Sequence, residues 1–327
     1  MPRLEFSGPD LGRVRFAIMP FQETLKAARG LGLPVAPAGL AGWRHTALSR
    51  LPAAARPALA LCGAHPRHLP DFLTPQPPSG GQLTFDDELA AALADPGLPV
   101  EDDTQAFRSV LRTPSRVVED LLAEPDRGRR ALTASFVALH RAVLAADWPR
   151  LHAQLAADVA ERARTAAQHG VEAMLAGLAP GLVRWSHPFL EYAGPPAPDH
   201  RLAGRGLVLV PSMFLTDAVH RQLNDRQQPM LFYPARTALG FWRDDRAADG
   251  RLAGPVGGAR ARILRLLAAR PRGTSELAAE LGVAPSTASE QLAALRRAGL
   301  VTTTRSGRQA CHEPTALAWS LLDVYIG

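Results

Sequence analysis

The sequence predicts a mainly α chain with a small β component: a helical N-terminal body carrying a short sheet, then a C-terminal module of helices and one hairpin. Three observations predict it. Apolar residues recur at helical spacing through the first half, as in Leu151, Leu155, Val159, Ala163 and Ala166. Short β-type runs punctuated by proline and glycine gather between residues 182 and 233. The last quarter alternates short helical segments with glycine turns and ends on a hairpin signal.

Asp10 is positioned to cap a helix through Leu11–Gly30, with Val14, Ile18, Phe21 and Leu25 on one face. A proline-dense, loop-rich stretch then runs to Ser79-Gly80-Gly81. Phe85–Ala94, Asp103–Leu122 and Arg127–Ala146 read as helices, and Trp148–Leu178 as one long amphipathic helix. Leu182–Trp185, Phe189–Ala193, Leu207–Val210 and Met230–Tyr233 read as strands of one small sheet. Asp244–Gly258 is polar and glycine-rich, the composition of a linker. The expected domains are residues 1–250 and 255–327.

The 327 residues suffice for about two domains, and 46% hydrophobic content excludes wholesale disorder. Of the 37 basic residues, Lys26 is the only lysine. Two cysteines, Cys62 and Cys311, cannot build a disulfide framework. The opening MPRLEFSGPD lacks the layout of a secretion signal. No apolar run reaches the roughly 18 residues that span a bilayer; Leu51–Ala64 is interrupted by Arg56 and two prolines. The expectation is a soluble, cytoplasmic chain with no membrane partner.

The C-terminal module is the most informative segment. Ala259–Ala269 is a helix with Ile263, Leu266 and Leu267 inward. Thr274 opens a second helix as its cap, and Gly282 ends it in the left-handed position glycine tolerates. Pro285 suits the first position of a third helix, which Ser286–Arg297 continues. Gly299 stops that helix. Leu300–Arg305, the Ser306-Gly307 turn and Arg308–His312 form a hairpin, and Thr315–Ile326 is a closing helix. This order is a winged helix-turn-helix.

Its geometry sends the third helix into the major groove of double-stranded DNA. Ser286, Thr287, Ser289 and Gln291 are the candidate base readers. Arg296 and Arg297 end the helix where phosphates pass, and Arg305 and Arg308 flank the wing tip. Charge agrees: from Pro255 to Gly327, nine arginines face five acids.

These residues resemble the ArsR/SmtB family of bacterial repressors. The resemblance rests on Ala261–Leu267, on Thr274–Ala278, on Leu281–Ser289 and on Leu292–Val301. Further upstream, Asp10–Ala17, Pro70–Pro75, Gly204–Ser212 and Tyr233–Arg236 resemble a long N-terminal domain of unknown function. That domain is found fused to such modules in actinobacterial regulators. The resemblance implies a homodimer that binds an operator and releases it when an effector binds. Many members sense metals through a Cys-x-Cys pair in the second helix. Here Ser275–Leu281 has no cysteine, and the closing helix lacks paired Asp and His ligands, so no metal is expected at either site.

Other constellations compete with this reading. Cys62, His65, His68 and Asp71 have ligand spacing, but Pro66 and Pro70 interrupt them and no second pair follows. Cys311 lies beside His312 and near Arg308, a setting for a redox thiol or simply a half-buried strand cysteine. Gly204-Arg205-Gly206 lacks the third glycine of a dinucleotide loop, and no nucleophile-elbow motif surrounds Ser212, which stands near Asp217 and His220. Phe72, Trp185, Phe214 and Tyr233, with Arg205 and Arg236 as anion anchors, are the candidate effector-binding residues; Phe241 and Trp242 extend the same aromatic concentration. The function expected is a sequence-specific transcriptional repressor without cofactor. An enzyme, or an interaction scaffold that uses the winged helix for localisation, is the alternative.

Overall fold

The structure, a computed structural model, describes residues 1–34, 39–65, 68–78, 80–81, 83–93, 100–236, 241, 252, 254–269, 271–306 and 309–326. The chain divides into two units, Met1–Ala238 and Leu239–Gly327.

The first unit opens with β1 (Arg3–Glu5) and a four-residue helix, α1 (Gly8–Leu11). Asp10 lies inside α1 and caps no long helix. One of its carboxylate oxygens accepts the Ser7 backbone N–H at 2.7 Å, and the other accepts that of Gly206 at 2.8 Å. The chain turns and forms β2 (Arg15–Phe16) before α2 (Pro20–Gly32) begins. The expected helix from Leu11 is thus interrupted, because Arg15 and Phe16 pair in parallel with Val208 and Leu209. A distant strand overrides the local period. Nearly every side of α2 is buried, including Gln22, Glu23, Thr24 and Lys26.

The proline-dense stretch holds two helices, α3 (Ala41–Arg50) and α4 (Arg56–Gly63). Its prolines act as helix starters as well as breakers: Pro57 stands in the first turn of α4, where no N–H is needed. After α5 (Phe85–Leu93), the expected helix from Asp103 is two, α6 (Val100–Val110) and α7 (Arg116–Ala123), divided around Pro114. Next come α8 (Pro125–Val143) and α9 (Trp148–His169). Gly170, at φ +88°, ends α9 and separates it from α10 (Val171–Ala176).

Strands follow: β3 (Val183–Ser186), β4 (Phe189–Tyr192), β5 (His200–Arg201), β6 (Val208–Ser212), β7 (His220–Gln222) and β8 (Met230–Pro234). They build two sheets among the described residues, where one was expected. The first has the order β3-β4-β1-β5 and the second β2-β6-β8-β7. Strands of two or three residues are too short to show alternation, which is why β1, β2, β5 and β7 were missed. The second sheet is covered on both faces. Leu209, Leu231 and Tyr233 join a core with Leu4, Leu178 and Leu190, whereas Val208, Val210, Met230 and Phe232 pack with Met19 and Leu215. Parallel strands buried on both faces read as continuous apolar runs.

The second unit contains α11 (Gly258–Ala269), β9 (Arg272–Gly273), α12 (Thr274–Leu281), α13 (Pro285–Arg297), β10 (Val301–Ser306), β11 (Gln309–Pro314) and α14 (Ala316–Ile326). Ile263, Leu264, Leu267, Leu277, Leu292, Leu295, Leu300 and Leu322 form its core. The hairpin gains a strand the sequence did not suggest: β9 pairs with β11, placing Arg272 beside His312. This pairing moves the cap of α12 to Gly273, and Thr274 becomes its first helical residue.

Candidate nucleic-acid interface

The turn between α12 and α13 is set by local chemistry. Gly282 adopts φ +67°, and the Val283 N–H donates back to the Ala278 carbonyl at 3.0 Å. Pro285 then starts α13 at its first position. Ala288, Leu292 and Leu295 bury one face of that helix. Ser286, Thr287, Ser289 and Glu290 stand exposed on the other.

Gln291 does not share that outward face. It is partly buried on the flank toward α11, where its amide oxygen accepts the Arg260 Nε–H at 3.0 Å. The helical period explains this: Gln291 falls one turn from both Ala288 and Leu295. Arg296 and Arg297 are exposed at the end of α13, and Arg296 also donates to the Thr303 hydroxyl at 3.4 Å. The backbone of Arg305 pairs with Ala310 in the wing. The Arg305 side chain, and Arg308 with the wing turn, lie outside the described residues.

A histidine that the sequence reading left unused fastens the wing. His312 is buried and hydrogen-bonds the Thr274 hydroxyl at 2.9 Å and the Thr303 hydroxyl at 2.8 Å. Burial, and then the nearby Arg296 charge, lower its pKa below the ordinary value. The neutral ring therefore links the first turn of α12 to β10. Arg272 makes a second tie, donating to the Leu266 carbonyl at 3.0 Å and pairing with Glu280. His312 and Arg272 were missed because β9 was missed.

The six candidate effector residues are built into the first unit in different ways. Tyr233 is fully buried and donates to Asp158 at 2.8 Å. The Arg236 backbone N–H reaches the same carboxylate at 3.1 Å, while its side chain is exposed. Trp185 packs edge-on against Phe6 and donates its indole N–H to Glu172 at 3.0 Å. Phe72 is buried, and Phe214 lies against Trp43 with ring centroids 4.7 Å apart. Arg205 lines an open cleft of about 460 Å³ together with Gly12, Arg13, Val14, Arg15 and Gln228. The Arg15 guanidinium there donates to the Pro77 and Pro78 carbonyls and to Gln228. Burial lowers its pKa. Arg205 donates to the Leu202, Asn224 and Gln227 carbonyls, with Asp225 at 3.9 Å. Trp242 lies outside the described residues.

The remaining constellations take structural places. Cys62 is buried in α4, and burial pushes its thiol up to about 12. The rings of His65 and His68 lie 4.6 Å apart, and no group of three metal-ligating side chains occurs among the described residues. Cys311 pairs opposite Thr304 in the wing. Ser212 is buried with its hydroxyl on Glu23, whose carboxylate also accepts the Met213 N–H at 2.9 Å. Lys26 is buried beside them, with Nζ 3.8 Å above the Phe232 ring and donating to Gln22 at 3.1 Å.

Comparison with known families agrees with this geometry. Residues 258–303 match the bacterial regulatory protein, arsR family. Residues 103–238 match a family of unknown function, DUF5937. An arsR-family domain thus follows a long domain of unknown function, as the resemblance in the sequence implied. No curated protein and no solved structure matches the chain. No helix among the described residues is long and apolar enough to cross a membrane.

Proposed function

We propose that this chain, a DNA-binding transcriptional regulator by its arsR-family domain, acts as a homodimeric repressor that releases its operator when a small molecule binds the first unit. The observation that carries the DNA reading is α13: a helix anchored by Ala288, Leu292 and Leu295 that turns Ser286, Thr287 and Ser289 to solvent. Such a helix fits the major groove, with its N-terminal residues at the base edges. Dimerisation is supported by Leu317 and Trp319, large apolar side chains left exposed on α14. Half-sites about 34 Å apart, or a multiple, follow from two-fold symmetry.

An anionic effector suits the cleft beside Arg13, Arg15 and Arg205. Three guanidiniums meet there largely over carbonyl oxygens, with Asp225 as an outlying acid. A carboxylate or phosphate would supply the missing countercharge.

The test is fluorescence anisotropy with the full chain on its own upstream DNA and on scrambled DNA, across a salt series. Tight, selective binding with a steep salt slope supports the regulator reading. Weak binding, equal on both duplexes, overturns it in favour of an interaction module. Sedimentation at the same concentrations tests the dimer.

A further inference from the structure

Glu290 occupies the middle of the outward face of α13. At 100° per residue it lies about 140–160° from Ala288, Leu292 and Leu295, the three residues that define the buried side. It is exposed. Its neighbours one turn away on the helix are Ser286, Thr287, Ala293 and Ala294, none of them charged. Arg297 is seven positions on, about 10 Å along the axis. The base-facing centre of a basic module is therefore an acid.

That placement has a chemical consequence. A carboxylate only accepts hydrogen bonds. Phosphates repel it, and so do the acceptor edges of guanine N7 and O6 and thymine O4. The major groove offers it two donors, the amino groups of cytosine and adenine, and adenine sets an N7 acceptor beside its own. Adenine N6 also has thymine O4 on its other side, whereas cytosine N4 has an acceptor on one side only, guanine O6, and is the partner with the smaller penalty.

We propose that Glu290 is a specificity-determining residue, one that requires a C·G pair at one position of each half-site by accepting from cytosine N4 and that suppresses binding elsewhere. The inference rests on the regulator reading above and adds the identity of one operator base. Ser286 and Thr287 carry hydroxyls that donate or accept and read their own positions, so the carboxylate sets discrimination at its position.

The experiment selects binding sites from a randomised duplex library with the full chain. It then measures wild type, Glu290→Ala and Glu290→Gln on the selected duplex and on single-base replacements. Wild type is expected to lose about tenfold or more when the contacted C·G is replaced. Glu290→Ala is expected to flatten that position to within about twofold, leave the others unchanged and bind scrambled DNA more tightly. Glu290→Gln is expected to move the preference at that position toward adenine, which glutamine reads through N6 and N7. Because Glu290 is exposed, both variants should melt with wild type, which separates altered recognition from misfolding. Unchanged preference at every position in both variants overturns the inference and leaves the regulator reading standing. A wild type that selects no sequence overturns both.

Discussion

Tyr233 at the end of β8 donates its phenolic hydrogen to Asp158 of α9 at 2.8 Å, and that carboxylate also holds the buried Arg162 at 2.8 Å. Burial, then the Asp158 charge, raise the Tyr233 pKa well above its ordinary value, so the phenol stays a donor. Removing one member of this set is unequal to removing another. Tyr233→Phe loses one charge-assisted bond and is expected to cost about 1.5–3 kcal/mol. Asp158→Ala strands a buried guanidinium and is expected to cost about 3–5 kcal/mol. Urea unfolding of the full chain measures both; equal costs would contradict this division of roles.

A second contrast concerns two glycines at positive φ. Gly206 stands at +72°, and a Cβ there would meet the Arg13 carbonyl oxygen at 2.4 Å. Gly181 stands at +83° with nothing within 4 Å. Gly181→Ala is expected to cost about 1–2 kcal/mol, the conformational penalty alone. Gly206→Ala should cost clearly more, about 3 kcal/mol or above, because backbone must also move. Thermal melts distinguish the two.

Stability of the first unit should fall as pH rises from about 6.5 to 8; below 6.5 the opposite trend of His140 and His220, which burial lowers to about 4 and about 3, offsets the carboxylates. Glu88 accepts the Phe21 and Gln22 backbone N–H groups at 2.8 and 3.2 Å, yet burial pushes its pKa up to about 8. A raised folded-state pKa means that the folded form holds the proton more tightly. Its stabilisation is complete below the ordinary value of 4.5 and is lost as pH climbs through about 8. Burial raises Glu23 as well, with the same sign. Lys26, lowered by burial, acts at the alkaline end in the opposite sense. Glu88→Gln should flatten the melting temperature across this window; an unchanged slope would reject Glu88 as its source.

The wing carries the reverse dependence. Because burial lowers the His312 pKa, its contribution is intact above the ordinary 6.5 and fades as pH falls through the depressed value. His312→Ala should weaken DNA binding at pH 8 without changing base preference, since it loosens β10 from α12 and touches no base. It should also remove part of the loss that wild type suffers at acid pH. Anisotropy between pH 5 and 8 on one selected duplex checks both.

Recognition should separate readers from supports. Thr287→Ala is expected to alter base preference, whereas Gln291→Ala frees Arg260 and acts through α11. Arg297→Ala should weaken all sequences alike and reduce the salt slope by about one. Competition titrations with single-base variants of the operator resolve these cases.

The parts legible in sequence were those decided locally. Gly282 and Pro285 dictate the helix-turn-helix corner through their own backbone limits, and the structure places the turn there. Arg15-Phe16 and Arg272-Gly273 are strands only because Leu209 and His312 lie beside them, residues far away in sequence. Pro57 is ambiguous in sequence because proline marks both a break and a beginning, and only the fold shows it starting α4. Tyr233 is a core residue that composition cannot tell from a pocket residue, since both are aromatic and apolar. Glu290 follows from the phase of Ala288, Leu292 and Leu295, but an acid on a phosphate-facing helix runs against the charge that marks such a face.

Lys26, sealed beneath Phe232, is the chain's one side-chain amine. Every other basic side chain is a guanidinium, which stays charged throughout the physiological range and is not a substrate for lysine acylation. Phosphate contacts made by such a surface cannot be switched off by acetylation. Amine-directed labels have no side-chain target on the folded protein's exterior, so acquisition of a label at Lys26 would report opening of the first unit's core.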